Sequence, residues 1–141
     1  INTKVYYVSL GSFDTHTNQE GQQKRLFTEF NDAIRSFTAD LKKNNRFDDV
    51  LMMTFSEFGR RVSQNASGGT DHGTANNMFF ISGGLKQKGV LNAMPDLADL
   101  NEGDLKHKVD FKNVYATVLS KWLEADDKMI LGNKYSHLNF V

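Results

Sequence analysis

Two short stretches of the chain pair an acid with an imidazole. GSFDTHTNQ, residues 11–19, carries Asp14 and His16. GGTDHGTANN, residues 68–77, sets Asp71 beside His72 among small polar residues that can fill no core. Between them, TFSEFGRR supplies a further acid, Glu57, and two adjacent guanidiniums, Arg60 and Arg61. Neutral imidazole and carboxylate oxygen are good ligands for zinc, manganese or iron, and an oxygen-richer set turns toward magnesium or calcium. Five donors, Asp14, His16, Glu57, Asp71 and His72, could serve two ions about 3.5–4 Å apart, a pair that clamps an ester oxyanion and activates water. Arg60 and Arg61 could grip an anionic oxygen of a small ester, because a guanidinium meets phosphate or sulfate with two parallel hydrogen bonds. The glycines around Asp71 and His72 let backbone approach a ligand closely.

Each stretch also has an ordinary reading. An aspartate in a polar loop caps a turn, and most loop glutamates are solvated. Adjacent arginines serve most often as surface charges or ion-pair partners. His107, in DLKHKVD, and His137, in the tail, read as solvent-facing. Ser12, Ser56 and Thr70 offer hydroxyls, but nothing singles out one of them as a nucleophile. What favours a metal site is the coincidence of several acid or histidine groups just past apolar runs.

Those runs set the expected architecture. Val5–Leu10, Val50–Phe55 and Met78–Ser82 are nearly continuously apolar, as strands covered on both faces are. From residue 22 to about 44, Leu26, Phe30, Ala33, Ile34, Phe37 and Leu41 recur at spacings of three and four, one apolar helical stripe. Asp110 is placed to cap a helix over Phe111–Leu123 that lines up Val114, Val118 and Trp122. Residues 56–77 read as a long polar loop, 85–109 as irregular, and the tail from Glu124 as loop. Apolar strands separated by a long helix predict an α/β fold with a mostly parallel sheet flanked by helices. In such sheets ligands bind beyond the carboxyl ends of the strands. That rule would gather Asp14, His16, Glu57, Asp71 and His72 on one rim.

The totals limit the function classes. The chain has 141 residues, 39% hydrophobic and 24% charged, which suits a globular domain or a piece of one. Lys plus Arg and Asp plus Glu are both 17, so no basic excess favours nucleic acid or an anionic membrane surface. No apolar run approaches the roughly 20 residues of a membrane span. The absence of cysteine excludes disulfides and thiolate metal sites. The chain opens at Ile1 and almost at once enters an apolar run, so it is expected to be the C-terminal portion of a longer protein. Its first strand would then leave an apolar surface open to self-association or to a partner.

GSFDTHTNQ, the stretch from DDVLMMTFSEFGRR to GGTDHGTANNMFFISGG, and VDFKNVYATVLSKWL together resemble the C-terminal half of the DUF1501 family, across nearly the whole chain. These are bacterial proteins, many with a twin-arginine export signal, which implies a periplasmic or exported location. That family is similar in turn to the alkaline phosphatase and sulfatase superfamily. The resemblance implies an alkaline phosphatase-like fold and a divalent metal site, with Asp14 and His16 at one ligand position, Glu57 at a second and His72 at a third. Asp71 would be an extra ligand or an orienter of His72. Phe58 stands where the superfamily usually has a histidine, so one imidazole is missing. The superfamily's nucleophile and remaining ligands belong to an N-terminal half outside this chain.

Two functions follow as expectations. The first is a metal-dependent hydrolase of phosphate or sulfate esters, with this chain alone not catalytically competent. The alternative is a non-catalytic exported binding or scaffold protein on the same fold, with a partly lost metal site.

Overall fold

A computed structural model describes residues 4–141. It is a mixed α/β arrangement of helices and short antiparallel strand pairs. The first helix, α1, spans Gln19–Lys43, about 38 Å at 1.5 Å per residue. It starts earlier than the apolar stripe predicts because its first turn is pinned from outside. The Asn18 and Gln19 amides donate to the carbonyls of Ser67 and Gly68, at 3.2 and 3.0 Å. Asn18 adopts the left-handed conformation that asparagine tolerates. Glu20 in the first turn and Lys42 and Lys43 in the last complement the helix dipole. Leu26 and Leu41 are buried and Phe30 and Ile34 half-buried, but Ala33 and Phe37 are exposed. The predicted stripe is therefore covered only in part.

After a short 3-10 turn, Phe47–Asp49, come strands β1, Met52–Met53, β2, Gly59–Gln64, β3, Thr70–Gly73, and β4, Phe80–Ile81. The expected strands Val50–Phe55 and Met78–Ser82 are thus both present in shortened form. They pair antiparallel, Met52 with Ile81 and Met53 with Phe80, and not parallel. The reason lies between them. A parallel return needs a crossover, usually a helix. The intervening residues, expected to be loop, instead form the hairpin β2–β3, and the chain comes back in the opposite sense. The polar composition of β2, GRRVSQ, hides this strand from any search for apolar alternation.

The third expected strand does not form. Val5–Leu10 has no ladder partner among the described residues and is solvent-exposed, Val8 at 88%. Tyr7 makes an aromatic contact with Phe55, ring centroids 5.9 Å apart. An apolar run becomes a strand only when a neighbour takes its backbone hydrogen bonds. The mostly parallel sheet expected from the three runs is not what the described residues show.

Within the stretch expected to be irregular, strands β5, Leu100–Asn101, and β6, Asp104–Leu105, make a second hairpin. Its turn residues Glu102 and Gly103 both have positive φ, 51° and 89°. This is the type I′ geometry that suits the strand twist, and glycine enters it freely.

Helix α2, Phe111–Thr117, starts as predicted, with the Asp110 carboxylate accepting from the Lys112 amide at 2.8 Å. It continues through Val118–Trp122 as a π-helical turn. Val114, Phe140 and Val141 are the buried centre of a hydrophobic cluster that also takes in Met53, Phe80, Val118 and Trp122. The tail is therefore not merely loop. It contains α3, Asp127–Leu131, capped by Asp126 and closed by Gly132. It ends in Phe140, 1% exposed, whose ring lies 4.5 Å from that of Phe80. Lys86 fixes it there, its amide donating to the Phe140 carbonyl and its Nζ to Val141 O. Burial of one such phenyl ring contributes roughly 1.5–3 kcal/mol. Among the described residues no helix is long and apolar enough to cross a membrane.

Candidate metal centre

The hairpin β2–β3 and the segment before α1 meet at one place. Gly69 lies so close to the backbone of His16 that an added Cβ would stand 2.3 Å from its carbonyl carbon, so glycine alone permits the approach. Thr17 and Gly68 form an antiparallel bridge beside it. Gln19, in the first turn of α1, donates to the hydroxyls of Thr15 and Thr70, each at 3.0 Å. Thr15 is itself buried. Asn65, at the hairpin turn, donates to the His16 carbonyl at 2.9 Å and accepts from the Ser67 and Gly69 amides at 3.0 Å. These bonds fix the loop of Asp14 and His16 against the strand of His72.

Three side chains converge at that seam. Asp14 Oδ1 lies 2.7 Å from His72 Nε2 and 2.9 Å from His16 Nε2, and the two Nε2 atoms are 3.2 Å apart. Among the described residues Asp14, His16 and His72 form a group whose ligand atoms could hold one metal ion. Asp71 is not in that triangle. Its Oδ1 lies 3.6 Å from the other nitrogen of His16, Nδ1, and so faces His16 and not His72. Glu57 is exposed in the loop between β1 and β2 and is not part of the group.

Arg60 holds the back of the site. In the β2–β3 ladder it stands opposite His72. Cross-strand partners, and residues two apart on one strand, share a face. Phe58, Arg60 and His72 accordingly stack in layers. The Phe58 ring is 4.0 Å from the His72 ring and within 6° of parallel, and the Arg60 guanidinium lies 5.0 Å from the Phe58 centroid. The Arg60 side chain is 17% exposed. It donates to Thr70 O at 2.6 Å, to Phe13 O at 2.7 Å and to Asp14 Oδ1 at 3.4 Å. The guanidinium thus joins the two segments that carry the triangle. Arg61 points elsewhere, pairing with Asp104 of β6 at 3.1 Å.

The His72 hydrogen bond holds the Asp14 carboxyl below its ordinary pKa; desolvation opposes it, and the charges of His16, His72 and Arg60 add to the lowering. Asp14 is therefore ionised, as a ligand must be. The Ser56 hydroxyl is committed to the Phe58 carbonyl, and that of Thr70 to Gln19. Ser12 sits in the left-handed region at φ 73° beside the site. His137 is paired with Asp127 at 3.1 Å, away from the triangle. Thr15, Gln19 and Asn65 escape a reading of the sequence, because their roles depend on which distant segments touch.

The fold and site define a mixed α/β chain with an aspartate and two histidines disposed to take a metal ion. The chain belongs to the family described as protein of unknown function (DUF1501), whose model matches residues 2–135. No curated protein and no solved structure matches it.

Proposed function

We propose that this chain bears the metal-binding part of an exported, divalent-metal-dependent hydrolase of phosphate or sulfate esters. The observation that carries the reading is the convergence of Asp14, His16 and His72, residues far apart in sequence, on a triangle of ligand atoms. The donor set fits the group: two imidazole nitrogens and one ionised carboxylate are a three-ligand set of the kind that leaves a position open for water or substrate. A bound divalent ion would polarise an ester oxygen and make hydroxide available near neutral pH.

The chain's own residues hold and orient. Asp14 Oδ1 lies within 3 Å of both Nε2 atoms, so the carboxylate and the two imidazoles face one point. Phe58 covers one face of His72 and limits ring rotation. Arg60 is engaged with two backbone carbonyls, which supports it as a brace more than as a grip on substrate. The resemblance of its motifs to the alkaline phosphatase and sulfatase superfamily supports ester hydrolysis and implies a nucleophile other than the hydroxyls near this site. A second reading, an exported binding protein, is favoured by one feature. The position expected to supply a further imidazole is Phe58, whose ring is packed on His72.

The test measures bound divalent metal in the full-length protein and turnover of an aryl phosphate and an aryl sulfate, for wild type and His72→Ala. The hydrolase reading expects stoichiometric metal and turnover in wild type, with both lost in the variant. Turnover that survives His72→Ala refutes it. Metal without turnover supports the binding protein.

A further inference from the structure

The shape of the triangle says more than its composition. With metal–ligand bonds of about 2.1 Å, two ligand atoms at a tetrahedral angle stand about 3.4 Å apart, and two at a right angle about 3.0 Å. The edges among Asp14 Oδ1, His16 Nε2 and His72 Nε2 are 2.7, 2.9 and 3.2 Å. Every edge is shorter than the tetrahedral value, and the three straddle the right-angle one. We propose that these atoms form one triangular face of a six-coordinate site for a single divalent ion, with the three opposite positions left to solvent and substrate. The inference rests on the metal-centre reading above and concerns only its geometry.

Three further observations agree. The side chains of Asp14, His16 and His72 are 60%, 43% and 46% exposed, so the triangle opens to solvent and has room for three more ligands. Both histidines present Nε2, the nitrogen farther from the backbone, and the remaining nitrogen of His16 faces a carboxylate, Asp71. At 3.6 Å that carboxylate is beyond hydrogen-bond distance, but its negative charge still raises the basicity of the ring. Behind the face, Phe58 and Arg60 pack against His72 and Asp14, which leaves the opposite side as the open one.

Donor chemistry then narrows the ion. Magnesium and calcium prefer all-oxygen surroundings. Two imidazoles and a carboxylate on one octahedral face, with three adjacent open positions, suit manganese(II) or iron(II), whereas zinc with three protein ligands settles into a tetrahedron. Three adjacent open positions would let an anionic substrate bind through two oxygens and still leave a place for water. A four-coordinate ion, with one open position, could not do this.

The experiment uses cobalt(II) as a spectroscopic probe on the full chain. Six-coordinate cobalt absorbs weakly in the visible, and four-coordinate cobalt absorbs intensely. We expect one equivalent of Co2+ to bind, detected by calorimetry, with only weak visible bands, and Mn2+ to compete for the same site. His16→Asn and His72→Asn, checked for wild-type circular dichroism, should abolish binding of that equivalent. Intense bands from one bound equivalent would overturn the six-coordinate geometry and leave the metal centre standing. No binding of Co2+ would overturn both. Unaltered binding by the two folded variants would overturn the choice of ligand atoms.

Discussion

Replacing Arg60 by alanine removes a charged side chain that bonds to both segments of the candidate site. Its guanidinium donates to the Thr70 carbonyl at 2.6 Å and the Phe13 carbonyl at 2.7 Å. Hydrogen bonds from a charged donor contribute about 1.5–3 kcal/mol each. The Asp14 contact is long, 3.4 Å, to a carboxylate 60% exposed, and after solvent screening adds little. Water will re-solvate part of what the two carbonyls lose, so Arg60→Ala should cost about 2–4 kcal/mol of folding stability. With a urea slope near 2 kcal/mol per molar, the unfolding midpoint of the metal-free protein should fall by about 1–2 M. Arg60→Lys keeps the charge but lacks the planar fork, reaches one carbonyl instead of two, and should lose about half as much. Metal affinity should fall in both variants, because the Asp14 loop is held less tightly to the strand of His72, where the Gln19 and Asn65 bonds remain. Urea titration followed by circular dichroism, in the presence of a chelator, reads the first effect, and calorimetry with Mn2+ reads the second. An Arg60→Ala protein that unfolds at the wild-type urea concentration refutes the bracing role.

Other outcomes follow from the same geometry. Asp71→Asn leaves His16 Nδ1 facing an amide instead of a carboxylate and should weaken metal binding about tenfold with little change in metal-free stability, measured by calorimetry and urea unfolding. Phe140→Ala opens a cavity beside Phe80 and Val114 and should cost about 3–5 kcal/mol in a urea titration. The Asp14 carboxyl is depressed in the folded chain, chiefly by the His72 hydrogen bond. Its contribution is therefore complete above the ordinary carboxylate range and is lost as pH falls through the lower folded-state value. Urea midpoints taken from neutral to strongly acid pH should show Asp14→Asn below wild type at neutrality and converging with it in acid.

The local elements were legible because local patterns set them. The 3.6-residue recurrence gives α1, and Asp110 gives the start of α2. The apolar runs at 50–55 and 78–82 contain β1 and β4. Their mutual direction was not legible, because it depends on how the 56–77 segment folds, and the strand GRRVSQ has no apolar face to signal itself. Two further local signals lie in the sequence itself: the NEGD turn, and the Asp126–Gly132 caps around α3. The site residues stood out by chemical type, since acids and imidazoles in polar loops are conspicuous. The rule that gathered them, a parallel sheet's carboxyl rim, is not how Asp14, His16 and His72 meet here. They meet across a hairpin, Gly69 and a bridge at Thr17, and Glu57 lies outside the group. Arg60 is conspicuous in sequence as a charge that could meet an anion, but its partners are backbone carbonyls, which no residue pattern names.

The span between the two arms of the triangle has a mechanical meaning. Asp14 and His72 are 58 positions apart, and the chain has no cysteine with which to tie such distant segments covalently. An ion held by both would act as a reversible cross-link. On the chain-entropy account used for disulfides, closing a loop of that length removes about 4 kcal/mol worth of freedom from the unfolded state. The fastener would also be conditional. It would grip where the ion is plentiful and open where a chelator or scarcity removes it, with tightness graded by free-metal concentration. Resistance to proteolysis would rise and fall with metal supply, and the fold itself would become a gauge of the surrounding ion pool.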